Sequence, residues 1–91
     1  MILNRAGREF AHWAYVADVT ITSVEVYLAG AWRTATVTAT DISVLVSGPD
    51  TTGFVPDGTV TLPLGVTRAL VRFPDNPELP VRDGGTITVT D

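Results

Sequence analysis

The chain has 91 residues, a formal net charge of −4, no Cys and no Lys. That length is one domain. Folding at this size buries only about 60–65% of the surface an unfolded chain exposes, so the core must be thin. Without Cys there is no disulfide to compensate and no thiolate chemistry, and the acidic balance argues against DNA or RNA as a main partner.

Thr and Val together supply 27 of the 91 residues. Both are β-branched and favour strands, while the helix formers Leu, Glu, Gln and Lys are scarce. The first apolar stretches, Met1-Ile2-Leu3 and residues 10–16, stop at Asn4-Arg5 and contain His12 respectively. Neither forms a signal-peptide core or a membrane span. The expectation is a soluble protein made in the cytoplasm, with no membrane partner.

In chain order, residues 1–8 read as an N-terminal arm and residues 9–91 as one β domain. Residues 9–18 form a first strand rich in aromatics, with Trp13 and Tyr15 on one face and Phe10, His12, Ala14 and Val16 on the other. Residues 20–29 alternate cleanly, placing Val24, Val26 and Leu28 inward. After a tight turn at Gly30-Ala31, residues 32–38 read as one strand. Residues 42–47 follow, with Ile42, Val44 and Val46 inward and Ser43, Leu45 and Ser47 outward.

The stretch GPDTTGFVPDG, residues 48–58, is the longest break and reads as a surface loop, with Phe54-Val55 as an anchor or a contact patch. Alternation resumes over 59–64, where Pro63 marks an edge strand or a strand end. Residues 67–73 turn Ala69, Val71 and Phe73 inward. The run FPDNPELP, residues 73–80, is then a stiff connection, because Pro74, Pro77 and Pro80 deny donors to any ladder. Asp83-Gly84-Gly85 reads as a turn before a last strand over 86–90. Seven strands at this spacing, with turn signals between them and no helix, predict an all-β chain folded as a seven-stranded immunoglobulin-like sandwich; the alternative is a small barrel or jelly roll.

Chemistry is sparse in this pattern. His12 is the only His, and a lone strand His reads as a structural donor. Ser23, Ser43 and Ser47 lie in strands without a glycine-flanked elbow, so no catalytic site is expected. One His and no Cys leave no zinc site. Asp75, Asn76 and Glu78 offer oxygens in one loop, and Asp50 and Asp57 in another, but without the ligand spacing of a calcium loop, so no metal and no cofactor is expected. Trp32, Tyr27 and Tyr15 would suit either a sugar-stacking platform or core and subunit contact.

Sheet edges carry more promise, since an open edge can pair with a neighbour's strand. The apolar arm Met1-Ile2-Leu3 is one candidate for such addition; lying along its own sandwich edge is the other reading. Phe54 and Val55 of the long loop, and Asp75, Glu78 and Leu79 of the Pro-rich loop, complete the expected protein contacts.

The stretch LPLGVTRALVRFPDNPELPVRDGGTITVTD, residues 62–91, resembles a group of small proteins from tailed phages of actinobacteria. The matching residues are Leu62, Pro63, Leu64 and Gly65; Val71 and Arg72; Asp75, Pro77, Glu78 and Pro80. ISVLVSGPD and the early REF are similar as well. The resemblance covers most of the chain loosely and the last third well. It implies a gene of the head and head–tail-connector region, hence a virion structural protein such as a capsid decoration or minor capsid protein, present in many symmetric copies. Its implied partners are the major capsid protein or the head–tail connector proteins. A sandwich module for carbohydrate or a host surface is the alternative.

Overall fold

The computed structural model describes residues 1–14, 23–38, 41–73 and 81–91. Among these, nine strands and no helix form two sheets: β1 (Ile2–Asn4), β2 (Arg8–Ala14), β3 (Glu25–Leu28), β4 (Ala31–Thr34), β5 (Thr36–Val37), β6 (Asp41–Ser47), β7 (Val60–Thr61), β8 (Gly65–Arg72) and β9 (Val81–Thr90). One sheet runs β1-β9-β8-β3-β4. The other runs β2-β6-β5, with β7 pairing β6 on the same edge as β5, further along the strand. All pairings are antiparallel except β1 with β9 and β7 with β6.

One hydrophobic core lies between the sheets. The five-stranded sheet contributes Leu3, Val24, Val26, Leu28, Ala69, Val71, Ile87 and Val89; the other contributes Ala11, Ile42, Val44, Val46 and Val60. Each set comes from alternate positions, as a strand with one buried face requires. Trp13, Val37 and Phe73 are half-buried against this core. The chain is therefore all-β with a sandwich arrangement, and the described strands do not close into a barrel.

Several elements differ from the sequence expectation, each for a local reason. Residues 1–8 are not separate from the domain: β1 completes the five-stranded sheet with Leu3 opposite Val89, and β2 begins at Arg8. The single strand expected over 32–38 breaks at Ala35. Its first half pairs with β3 and its second with β6, so the chain crosses between sheets there; the Ala35 amide bonds the Val24 carbonyl at 3.0 Å as it crosses. The strand expected over 59–64 shrinks to β7, ending just before Leu62-Pro63, and Leu64 is exposed.

The stretch Asp83-Gly84-Gly85 is a bulge inside β9 rather than a turn. Arg68 faces Thr86 while Leu70 faces Asp83, so Gly84 and Gly85 together oppose the single residue Ala69. Gly85 has φ +74, where an L side chain is strained. The Asp83 carboxylate accepts from the Gly85 amide at 2.9 Å. From the facing sheet, the Trp13 indole N–H donates to the Gly84 carbonyl at 2.8 Å, tying the two sheets at the bulge. Ser47, expected to point outward, is buried, with its hydroxyl 3.4 Å from that of Thr61 on β7. The expected strand positions in 15–18 and 20–22 lie outside the described residues.

Candidate contact surface

Among the described residues, the exposed large apolar side chains are Met1, Ile2, Phe10, Phe54, Val55, Leu64, Val66 and Val81. Ile2, at 74% exposure, and Val66, at 69%, stand in one row of the five-stranded sheet's outer face, on either side of Thr88. Leu3, expected among the contacts, points the other way: alternation on β1 sends it into the core at 2% exposure, so it is closed to a partner. Met1 is half-exposed and its backbone carbonyl accepts from the Thr88 amide at 2.9 Å.

Phe54 is the most exposed of the group, at 82%, and Val55 beside it is exposed too. They stand at the tip of a loop whose base is bolted to the β1–β2 corner. The Gly48 amide donates to the Gly7 carbonyl at 2.9 Å and the Asp50 amide to the Arg5 carbonyl at 3.0 Å. The Thr51 hydroxyl bonds the Gly7 carbonyl at 3.0 Å. Gly48 is required by the closeness of this approach, because a Cβ there would overlap the Arg5 backbone.

Arg5 occupies the centre of the corner. Its guanidinium pairs with Asp50 in the loop and with Asp91 after β9, the latter at 2.7 Å, while its amide donates to the Thr90 carbonyl at 2.7 Å. The hydrogen bond to Asp50, then that to Asp91, raises the Arg5 pKa above its ordinary value, so this cation stays charged throughout the working pH range. Arg8 adds a bond to the Phe54 carbonyl itself. One corner thus holds β1, the start of β2, the end of β9 and the loop.

The other expected residues fall as follows. Asp75, Glu78 and Leu79, with Asn76 and the three prolines around them, lie outside the described residues, as does Tyr15. Trp32 is half-buried and is not an open platform: the Arg72 guanidinium lies 4.1 Å from the ring centroid, and Tyr27 meets the indole edge-on at 5.3 Å. Arg72 is itself held by Glu25 at 2.8 Å. His12 is exposed on the outer face of β2, with its Nδ1 2.8 Å from Asp41. Ser43 sits across from it on β6, yet among the described residues neither ring nitrogen bonds a serine hydroxyl. Among the described residues no three His, Asp or Glu side chains gather to hold a metal ion, and no helix is long and apolar enough to cross a membrane.

Phe10 is a further exposed aromatic that the sequence does not single out as a contact. It was visible only as one aromatic among several in the first strand. In the structure its ring is 55% exposed and stands beside His12 on the outer face, opposite Leu45. Comparison of the chain with protein-family models, with curated proteins and with solved structures finds no match.

Proposed function

We propose that this chain is a structural component of a tailed-phage particle, present in many symmetric copies, which decorates the capsid or sits at the head–tail junction. Its fold is immunoglobulin-like. The strand order supports that reading. A sheet of β3, β8 and β9, with β4 beyond β3, faces a sheet of β2, β6 and β5. That is the C, F, G and C′ set over B, E and D of a variable-type sandwich. The parallel β1 at the edge of β9 extends the first set. The chain lacks the disulfide of such domains, and its core-packing Trp stands on β2 rather than on β3.

The observation that carries the functional reading is the Arg5 corner. Exposed apolar side chains on a free domain are otherwise scattered and unremarked. Here Ile2 and Phe54 are among the most exposed of all, and both project from segments fixed to one rigid corner by backbone bonds and two ion pairs. A fixed apolar projection loses little freedom when a partner covers it, which favours binding. The mechanism is mechanical: such projections wedge between neighbouring subunits, the major capsid protein or connector proteins, and stiffen the shell. The resemblance of residues 62–91 to head-region phage proteins points the same way.

Mass spectrometry of purified particles of the virus that encodes the chain tests the reading. The chain should be present in stoichiometric amounts. Its absence from infectious particles refutes the proposal.

A further inference from the structure

Sandwich domains blunt their open sheet edges, because an unpaired ladder recruits other strands. Among the described residues, three of the four edges are blunt by shortness: β1 has three residues, β4 has four, and β5 and β7 have two each. β2 is different. It has seven residues, Arg8–Ala14, with no Pro and no bulge against β6, and among the described residues its outer edge has no partner strand.

The direction of its backbone groups follows from one bond. The Gly48 amide donates to the Gly7 carbonyl, and that pair continues the β2–β6 register. Antiparallel strands alternate between bonded and non-bonded pairs. Residues 7, 9, 11 and 13 therefore turn their donors and acceptors toward β6, and Arg8, Phe10, His12 and Ala14 turn theirs outward.

We propose that β2 pairs with β2 of a second copy of this chain, antiparallel and about a two-fold axis at Ala11, joining the two smaller sheets into one continuous sheet. The inference rests on the multi-copy reading above and deepens it by naming the chain itself as the partner of this edge. Three features select a second copy and this register. Outward groups can pair only with outward groups, which removes every register shifted by one residue. Of the remaining registers, only the one that sets Phe10 opposite His12 of the other copy pairs all seven residues.

Charge does not oppose that register. The two Arg8 side chains stand about 20 Å apart and the two Glu9 side chains about 14 Å apart, beyond the ~8 Å screening length at physiological salt.

Shape agrees. The β1–β9 ladder runs only from Thr88 to Thr90, and beyond it the Met1 amino group reaches the Thr86 carbonyl. The flank beneath the other half of β2 is left hollow, lined by Ala11, His12, Trp13, Gly84, Thr86 and Ile87, with Met1 at its margin. A two-fold axis perpendicular to the sheet carries each copy's β1 edge to the hollow half of the other.

Sedimentation and a cysteine cross-link test this together. The purified chain is expected to sediment as a dimer at about 100 μM, in the range of a modest strand-pairing affinity. Phe10→Pro removes an outward N–H and leaves the β6 ladder intact, so it should shift the protein to monomer with its melting temperature nearly kept. Ala11→Cys sets two thiols at a non-bonded pair with Cα atoms about 4.5 Å apart, within disulfide reach. The chain has no other Cys, so mild oxidation should give a single cross-linked dimer. A monomeric wild-type chain, or an Ala11→Cys chain that stays uncrosslinked, overturns the inference even if Phe10→Pro fails to fold. A dimer that survives in a folded Phe10→Pro chain overturns it as well. Particle composition is a separate measurement: a chain abundant in particles yet monomeric and uncrosslinked removes this pairing and leaves the structural role standing.

Discussion

Adjacent residues on β1 should behave oppositely when shortened. Leu3 is 2% exposed and sits in the core opposite Val89, while Ile2 is 74% exposed on the outer face. Leu3→Ala deletes about three buried carbons, worth roughly 2.4 kcal/mol at ~0.8 kcal/mol each. A residual cavity adds to that. β1 is a three-residue edge strand and can partly collapse inward, so the total should fall near the low end of the usual range, about 3 kcal/mol. For a domain of this size each kcal/mol moves the melting temperature by about 4–8 °C, which gives a drop of roughly 12–24 °C. Ile2→Ala removes mostly exposed surface and should change stability by about 0.5 kcal/mol or less. Urea melts of the two variants, read by tryptophan fluorescence, with calorimetry as a check, decide the matter. If Leu3→Ala costs under about 1 kcal/mol, or if the two variants melt alike, then β1 is not part of the domain's core and the argument fails.

Two further substitutions probe the backbone. Ala29 has φ +50 and Gly30 φ +85, so the two-residue connection between β3 and β4 is a mirror-image turn that favours Asn-Gly. Ala29→Asn should therefore stabilise the chain by about 0.5–1 kcal/mol in thermal melts; a loss of stability would contradict that turn geometry. Gly48→Ala forces a Cβ into the Arg5 backbone, whose Cα would lie 2.7 Å away. It should cost about 2–3 kcal/mol by breaking the Gly48–Gly7 and Asp50–Arg5 backbone bonds, and limited proteolysis should then cut near Phe54 first. An unchanged proteolysis pattern would show that the loop base is not bolted to the corner.

The core was legible in the sequence where a strand has one wet and one dry face. Val24, Val26 and Leu28, and Ile42, Val44 and Val46, follow strict alternation and are all buried. Legibility failed where the deciding fact is a partner distant in sequence. Residues 32–38 alternate without interruption, because nothing in Trp32 to Thr38 marks a change of sheet; the crossing at Ala35 is set by β3 on one side and β6 on the other. Ser47 belongs by period to the outer face, yet it is buried where β7 pairs beside it with Thr61 opposite.

The bulge and the Arg5 corner share one reason for being illegible. Asp-Gly-Gly is a strong local signal for the chain to take a left-handed residue, and Gly85 does take one. A turn and a bulge both satisfy that signal. What separates them is whether ladder bonding resumes on the same neighbour, and here it does, with β8 on both sides of Gly84-Gly85 and Trp13 bonded from the other sheet. Likewise Arg5 in MILNR, Asp50 in GPD and the terminal Asp91 are three unrelated surface charges in the sequence. The parallel pairing of β1 with β9 brings Arg5 to the end of the last strand, and the Gly7–Gly48 bond brings the loop to Arg5. The apolar content of the candidate contact surface could be read from Ile2 and Phe54 alone. The bonds that tie it to one corner could not, because they follow from strand order, and strand order is written in no single segment.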